Sequence, residues 1–295
     1  MKSFTRACLI FSGVVISIGL VLTIIGGVLG AGTTFADMVR NGSFSYGFGN
    51  DYPIVSNKNV SSFYDEFTDV DELSIDLKYA ELQIDVADGD SYLVKADNIL
   101  EGYTSVNENG KLVIKDNIND NWRIGFKNNY HPTIYLSIPK NASLDKVKIE
   151  VGAGSVNAYN IISDKLSIEL GAGKFEGDMI SAKNTEISVG AGSLVIDRFS
   201  TDTIKMDCGT GRLELNGSVK GDADLECGLG NITLSLTNQD NDFNYDIDCG
   251  IGNVIIGNQS IGGIATKRTI DNNANNNMDI ECGVGSIELN FDESF

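Results

Sequence analysis

Four cysteines stand immediately before a Gly-x-Gly: Cys208 in CGTGRLELN, Cys227 in CGLGNITLS, Cys249 in CGIGNVIIG and Cys282 in CGVGSIELN. Thiols in such a series offer three chemistries. Adjacent pairs can oxidise to disulfides, converging thiolates can hold a metal ion, and an exposed thiol of low pKa can carry redox exchange. Against these stands a plain structural use, cysteine as a small buried hydrophobe. A second set is acidic. The residue before each of these slots and their equivalents upstream reads Glu150, Glu169, Ser188, Asp207, Glu226, Asp248 and Glu281. Carboxylates in a row can bind calcium or a cationic partner, or they can be a solvated face. Histidine chemistry is almost absent, since His131 is the only one in the chain.

What positions both sets is a repeat. The first glycines of the Gly-x-Gly pairs are Gly152, Gly171, Gly190, Gly209, Gly228, Gly250 and Gly283, at intervals of 19, 19, 19, 19, 22 and 33 residues. In LSIELGAGKFEG, Leu166, Ile168 and Leu170 alternate with polar residues, the period of a strand with one buried face. The glycines then turn the chain, and a second short strand begins at Phe175. Units this short leave no room for a crossover helix, and none can bury its apolar face alone. The pattern predicts an all-β fold, a parallel β-solenoid of about 19-residue coils. The cysteines then form an inward ladder in the slot of Val151, Leu170 and Val189. In-register stacking spaces them wider than a disulfide prefers, and stacked ligands do not converge on a metal. Like charges stacked outward at about 5 Å cost about 0.8–3 kcal/mol per pair unless solvated, protonated or bridged.

Departures from the repeat are also informative. ELSIDLKYAELQIDV (72–86) has the alternation with Lys78-Tyr79-Ala80 in place of the glycine turn, and predicts an irregular first coil. Residues 92–140 carry further strand patterns (YLVKA, KLVIK, TIYLSIP) expected to cap the N-terminal end. The segment 257–277, with Lys267, Arg268 and an Asn-rich run, predicts a loop protruding from the stack.

At the N-terminus, Ala7 to Ala31 contains no charge over 25 residues, about 37 Å of helix and enough to cross a hydrocarbon core. Lys2 and Arg6 precede it and place residues 1–6 in the cytoplasm, the rest outside. The competing reading is a cleaved signal peptide ending near TFA before Asp37. The organisation read from sequence is therefore cytoplasmic 1–6, transmembrane anchor 7–31, flexible tether 32–68 and β-solenoid 69–295, with capping strands to 146 and regular coils from 147. A net charge of -19 excludes a nucleic-acid footprint.

The run TIYLSIPKNASLDKVKIEVGAGSVNA, the repeated Gly-x-Gly coils and the closing IECGVGSIELNF resemble the bacterial candidate-adhesin β-strand-repeat domain, over roughly residues 60–295. Such domains are frequent in Gram-positive bacteria, often behind a single N-terminal membrane helix, and similar modules occur in LiaF-like cell-envelope stress proteins. The resemblance implies an extracytoplasmic β-solenoid and supplies no catalytic residues. Three functions follow for weighing. The first is a non-catalytic, membrane-anchored surface protein for adhesion or contact with another envelope component. The second is an envelope-stress sensor that binds a cationic ligand. The third, a β-helix polysaccharide-active enzyme, lacks the convergent carboxylates such chemistry needs. No cofactor is expected beyond calcium on the acidic row.

Overall fold

The computed structural model describes residues 61–99, 102–116 and 132–291. The expected anchor, the tether as far as residue 60 and His131 lie outside the described residues. Among the described residues, no helix is long and apolar enough to cross a membrane.

The first strands are β1 (Ser61–Phe67), β2 (Glu72–Ala87), β3 (Tyr92–Ile99), β4 (Tyr103–Glu108), β5 (Lys111–Asp116) and β6 (Thr133–Pro139). The central winding is β7 (Leu144–Val189), β8 (Ser193–Cys208), β9 (Arg212–Val219), β10 (Ala223–Cys227) and β11 (Asn231–Leu236). The last are β12 (Phe243–Cys249), β13 (Asn253–Ile256), β14 (Gln259–Gly262), β15 (Thr266–Ile270), β16 (Asn276–Cys282) and β17 (Ser286–Phe291). All join one hydrogen-bonded sheet that winds around an apolar core.

Each coil has a cysteine side and a second side, joined by the Gly-x-Gly turn. On the cysteine side the register runs Val189↔Cys208, Cys208↔Cys227, Cys227↔Cys282 and Cys282↔Cys249, all parallel. On the second side it runs Leu194↔Leu213, Leu213↔Ile232, Ile232↔Ile287 and Ile287↔Val254. Every residue in both ladders is buried, because parallel in-register stacking sets each apolar side chain directly over its equivalent. Beyond the second-side strand the chain bends at Asn160, Met179 and Arg198, again 19 residues apart, with φ of 55°, 56° and 52°. Few non-glycine residues take that conformation, and here it turns the chain back toward the cysteine side. Arg198 forms an ion pair with Asp178 of the coil below, which ties successive corners together.

Both ends depart from simple winding. At the N-terminal end β2 does lie as an irregular first coil, Leu77 paired with Val151 and Tyr79 with Ala153. It is sandwiched between β7 and the later strands β5 and β6. β4 then pairs antiparallel with β5, β3 with β6, and β1 with β3. These antiparallel pairings close the N-terminal end, and they take in Ser61–Phe67, which the sequence reading left in the tether.

At the C-terminal end the chain order and the stacking order differ. The last coil, β16 and β17, inserts between β10–β11 and β12–β13. The segment 257–277, expected to protrude, instead closes the stack. β14 folds back antiparallel on β13 across the Gly257–Asn258 turn, and β15 pairs antiparallel with β12. The physical reason is the edge. A bare parallel strand presents a row of unpaired N–H and C=O groups, and an antiparallel flap with charged Lys267 and Arg268 outward blunts it. The 33-residue interval is the length needed to build that flap and return beneath it.

Candidate functional site

Cys208, Cys227, Cys282 and Cys249 are 0%, 3%, 2% and 0% exposed, and all four are free thiols. Their slot lies beneath the second glycine of the next turn. A Cβ on Gly230 would sit 2.6 Å from Cys208 Sγ, on Gly285 2.8 Å from Cys227 Sγ, and on Gly252 2.6 Å from Cys282 Sγ. In earlier coils Leu170 and Val189 fill the same space beneath Gly192 and Gly211. The glycine and the ladder side chain therefore share one volume across two coils, which explains why they recur together. Hydrogen bonding with the Cys208 and Cys282 thiols, reinforced by burial, holds Cys227 far above the ordinary thiol range. Burial pushes Cys249 up to about 11. Cys208 and Cys282 are drawn the other way, because a thiolate at either accepts from Cys227. Nucleophilic use needs access as well as a low pKa, and these exposures deny it.

The acidic residues lie on the outer face of the cysteine side. Register orders Ser188, Asp207, Glu226, Glu281 and Asp248, with Glu281 moved inside Asp248 by the inserted coil, and the stacking of Gly190 on Gly171 and of Gly171 on Gly152 continues the row to Glu169 and Glu150. Lysines answer the repulsion. Lys148 Nζ lies 2.8 Å from Glu150 and 3.4 Å from Glu169, and Lys205 Nζ lies 3.0 Å from Asp224 and 2.8 Å from Glu226. Lys267, from the C-terminal flap, pairs with Asp248. These lysines sit two residues from the row or across the antiparallel edge, where a search of the single row could not find them. Among the described residues, no group of three or more His, Cys, Asp or Glu side chains is arranged to hold a metal. Parallel strands aim the carboxylates side by side and do not converge them.

Negative charge concentrates toward the C-terminal end, where Asp222, Asp224, Asp246 and Asp279 join the row. Burial, then Asp224, Asp246 and Asp222, raise the Asp279 carboxyl above its ordinary range; burial, then Glu226, raise that of Asp207. An open trough of about 670 Å³ crosses this face, from Lys146, Lys148 and Lys165 at one end to Asp222, Asp224 and Asp279 at the other. Its hydroxyls include Thr185, whose oxygen is 3.0 Å from that of buried Thr201. A nucleophile with a base and an orienting third group is not assembled among the described residues of its lining. The face can bind by charge. Chemistry on a substrate would need groups that meet.

The family model described as Toastrack DUF4097 matches residues 70–290. No curated protein matches the chain. Solved structures similar to it include a candidate cell adhesion protein from Clostridium sporogenes, at 15% identity, covering 79% of this chain and 100% of its own, with a TM-score of 0.39. A candidate adhesin from Bacteroides fragilis is 12% identical, with 79% and 98% covered and a TM-score of 0.42. A candidate lipid-binding protein from Parabacteroides distasonis is 16% identical, with 79% and 97% covered and a TM-score of 0.36.

Proposed function

The chain belongs to the Toastrack DUF4097 family, and from that premise we propose that it is a non-catalytic, membrane-anchored protein presenting a rigid β-solenoid outside the membrane for adhesion or contact with another envelope component. The observation that carries the reading is the arrangement of its polar side chains. They stand in outward rows one coil apart, lysine bridging carboxylate, over a continuous apolar core. Such a surface offers many equivalent contacts and no single reacting point. The uncharged span 7–31 supplies the anchor in this reading, with Lys2 and Arg6 inside. No cofactor is assigned in this reading: Lys148, Lys205 and Lys267 already pair with Glu150, Glu169, Glu226 and Asp248 of the acidic row.

The test is deletion of the gene in its host, complemented by the full chain or by a chain lacking 7–31. Attachment of cells to a coated surface should fall on deletion and return only with the anchored form. Unchanged attachment together with loss of a cell-envelope stress response would instead favour the sensor reading, which the acidic C-terminal end supports.

A further inference from the structure

The middle residue of the Gly-x-Gly turn changes character along the stack. It is Ala153, Ala172, Ala191 and Thr210 in the earlier coils, then Leu229, Val284 and Ile251 in the last three. Backbone hydrogen bonds stack these turns in that spatial order. Val284 N donates to Gly228 O, Ile251 N to Gly283 O, and Ala265 N to Gly250 O, which sets Ile264 against the last turn. Leu229, Val284, Ile251 and Ile264 are 37%, 41%, 56% and 86% exposed. They form an apolar ridge at the C-terminal end, where the earlier turns carry only small or polar groups.

The ridge has unlike flanks. On the cysteine side it is bordered by Asp207, Glu226, Glu281 and Asp248, backed by Asp224, Asp279 and Asp246, with Lys205 and Lys267 among them. On the second side it is bordered by Asn231, Ser286 and Asn253, which are uncharged. We propose that this ridge and its acidic flank dock a basic amphipathic helix of about three turns. The inference rests on the binding role proposed above and names the partner class.

Dimensions and charge select this occupant. Four ridge residues in adjacent stacked turns span about 14 Å at about 4.8 Å per step, and a helix advances about 5.4 Å per turn. A helix lying along the stacking axis therefore sets one apolar side chain near each ridge residue and turns its basic side to the acids. A second copy of the chain would bring the same acidic flank, and the chain carries -19 overall. An anionic membrane surface would be repelled by the same carboxylates.

The probe is a fluorescent twelve-residue helix of leucine and lysine, titrated by anisotropy onto the full chain in nanodiscs of phosphocholine lipid, with empty nanodiscs as control. Leu229→Thr/Val284→Thr/Ile251→Thr gives these turns the residue that Thr210 already holds, so the fold is kept. That variant should weaken binding at least tenfold at low and high salt. Glu226→Gln/Asp279→Asn/Glu281→Gln should weaken it mainly at low salt and flatten its salt dependence. A scrambled, non-amphipathic peptide of equal composition should bind at least tenfold more weakly. No saturable binding, equal binding of the scrambled peptide, or binding unchanged by the ridge variant would each overturn the proposal. So would concentration-dependent self-association, or capture of phosphoglycerol vesicles, abolished by the ridge variant; these would assign the ridge to a second copy or to lipid. Failure here leaves the attachment assay to judge the presentation role on its own.

Discussion

Replacing Gly230 by alanine probes the packing rule that links glycine turns to the cysteine ladder. A Cβ at that position would stand 2.3 Å from Gly211 O and 2.6 Å from Cys208 Sγ. Ordinary contact begins near 3.4 Å, so the turn must lift by about 1 Å on a coil already fixed from both sides. Overpacking of this kind costs about 1–3 kcal/mol. The lift also stretches hydrogen bonds made at the same point, Asn231 N to Gly211 O at 3.0 Å and Gly230 N to Gly209 O at 3.2 Å. Each such bond contributes about 1 kcal/mol. The sum is about 3–5 kcal/mol, and at about 2–4 °C per kcal/mol the melting temperature should fall by about 6–20 °C. Adding Cys208→Ala removes the sulfur conflict and leaves the carbonyl conflict, so the pair should couple by about 1 kcal/mol. Gly228→Ala, whose Cβ meets nothing closer than Gly209 O at 3.0 Å, is the milder control. Thermal melts of the parent, Gly230→Ala, Cys208→Ala, the pair and Gly228→Ala, followed by circular dichroism, give these values. A Gly230→Ala melt within 2 °C of the parent, or one no lower than that of Gly228→Ala, would refute the shared-volume argument.

Other consequences are measurable with the same protein. The four ladder thiols should resist maleimide in the native state and react fully in denaturant, read site by site by mass spectrometry; rapid native labelling at Cys282 would contradict its burial. Asp279 holds its proton more tightly folded than unfolded, so its contribution favours the folded state as pH falls through the window just above 3.8 and is lost as pH rises. Asp279→Asn should therefore raise the melting temperature at pH 7 by about 1 °C and shrink the gain on acidification through that window, whereas an unchanged pH profile would deny the crowding of acids there. Asp178, lowered by Arg198, works in the opposite sense: its contribution is complete above 3.8 and disappears as pH falls through its folded value. Ile261→Lys puts a charge on the buried face of the C-terminal flap and should expose the β13 edge, giving self-association on gel filtration; a monodisperse, unshifted peak would show that the flap is not what protects that edge.

The local rules of this fold are written in its sequence because they are periodic. Leu166, Ile168 and Leu170 alternate as a half-buried strand must, and the 19-residue spacing of Gly152 through Gly228 announces equivalent coils. What periodicity cannot carry is adjacency. Cys249 and Cys282 fit the ladder equally well, so nothing in their surroundings distinguishes chain order from the inserted order found. A usable signal was the long interval itself, in which QSIG and TKRTI are short strands. The acidic row was legible as a row, but its neutralisation was not. Lys148 reaches Glu169 across coils, and Lys267 reaches Asp248 only because β15 folds back. The ridge went unread: Leu229, Ile251 and Val284 do replace alanine in the sequence, but their contiguity with Ile264 depends on the flap.

The proposed function requires a β-solenoid held outside the membrane with its outer faces free to make contact. The direct test replaces Lys174, an outward residue whose side chain is 56% exposed, with cysteine in a Cys8→Ala background. The buried ladder thiols then contribute no background labelling. A membrane-impermeant maleimide should mark Lys174→Cys on intact cells to the same extent as after lysis. Labelling that appears only after lysis would place the domain on the wrong side of the membrane and contradict the account.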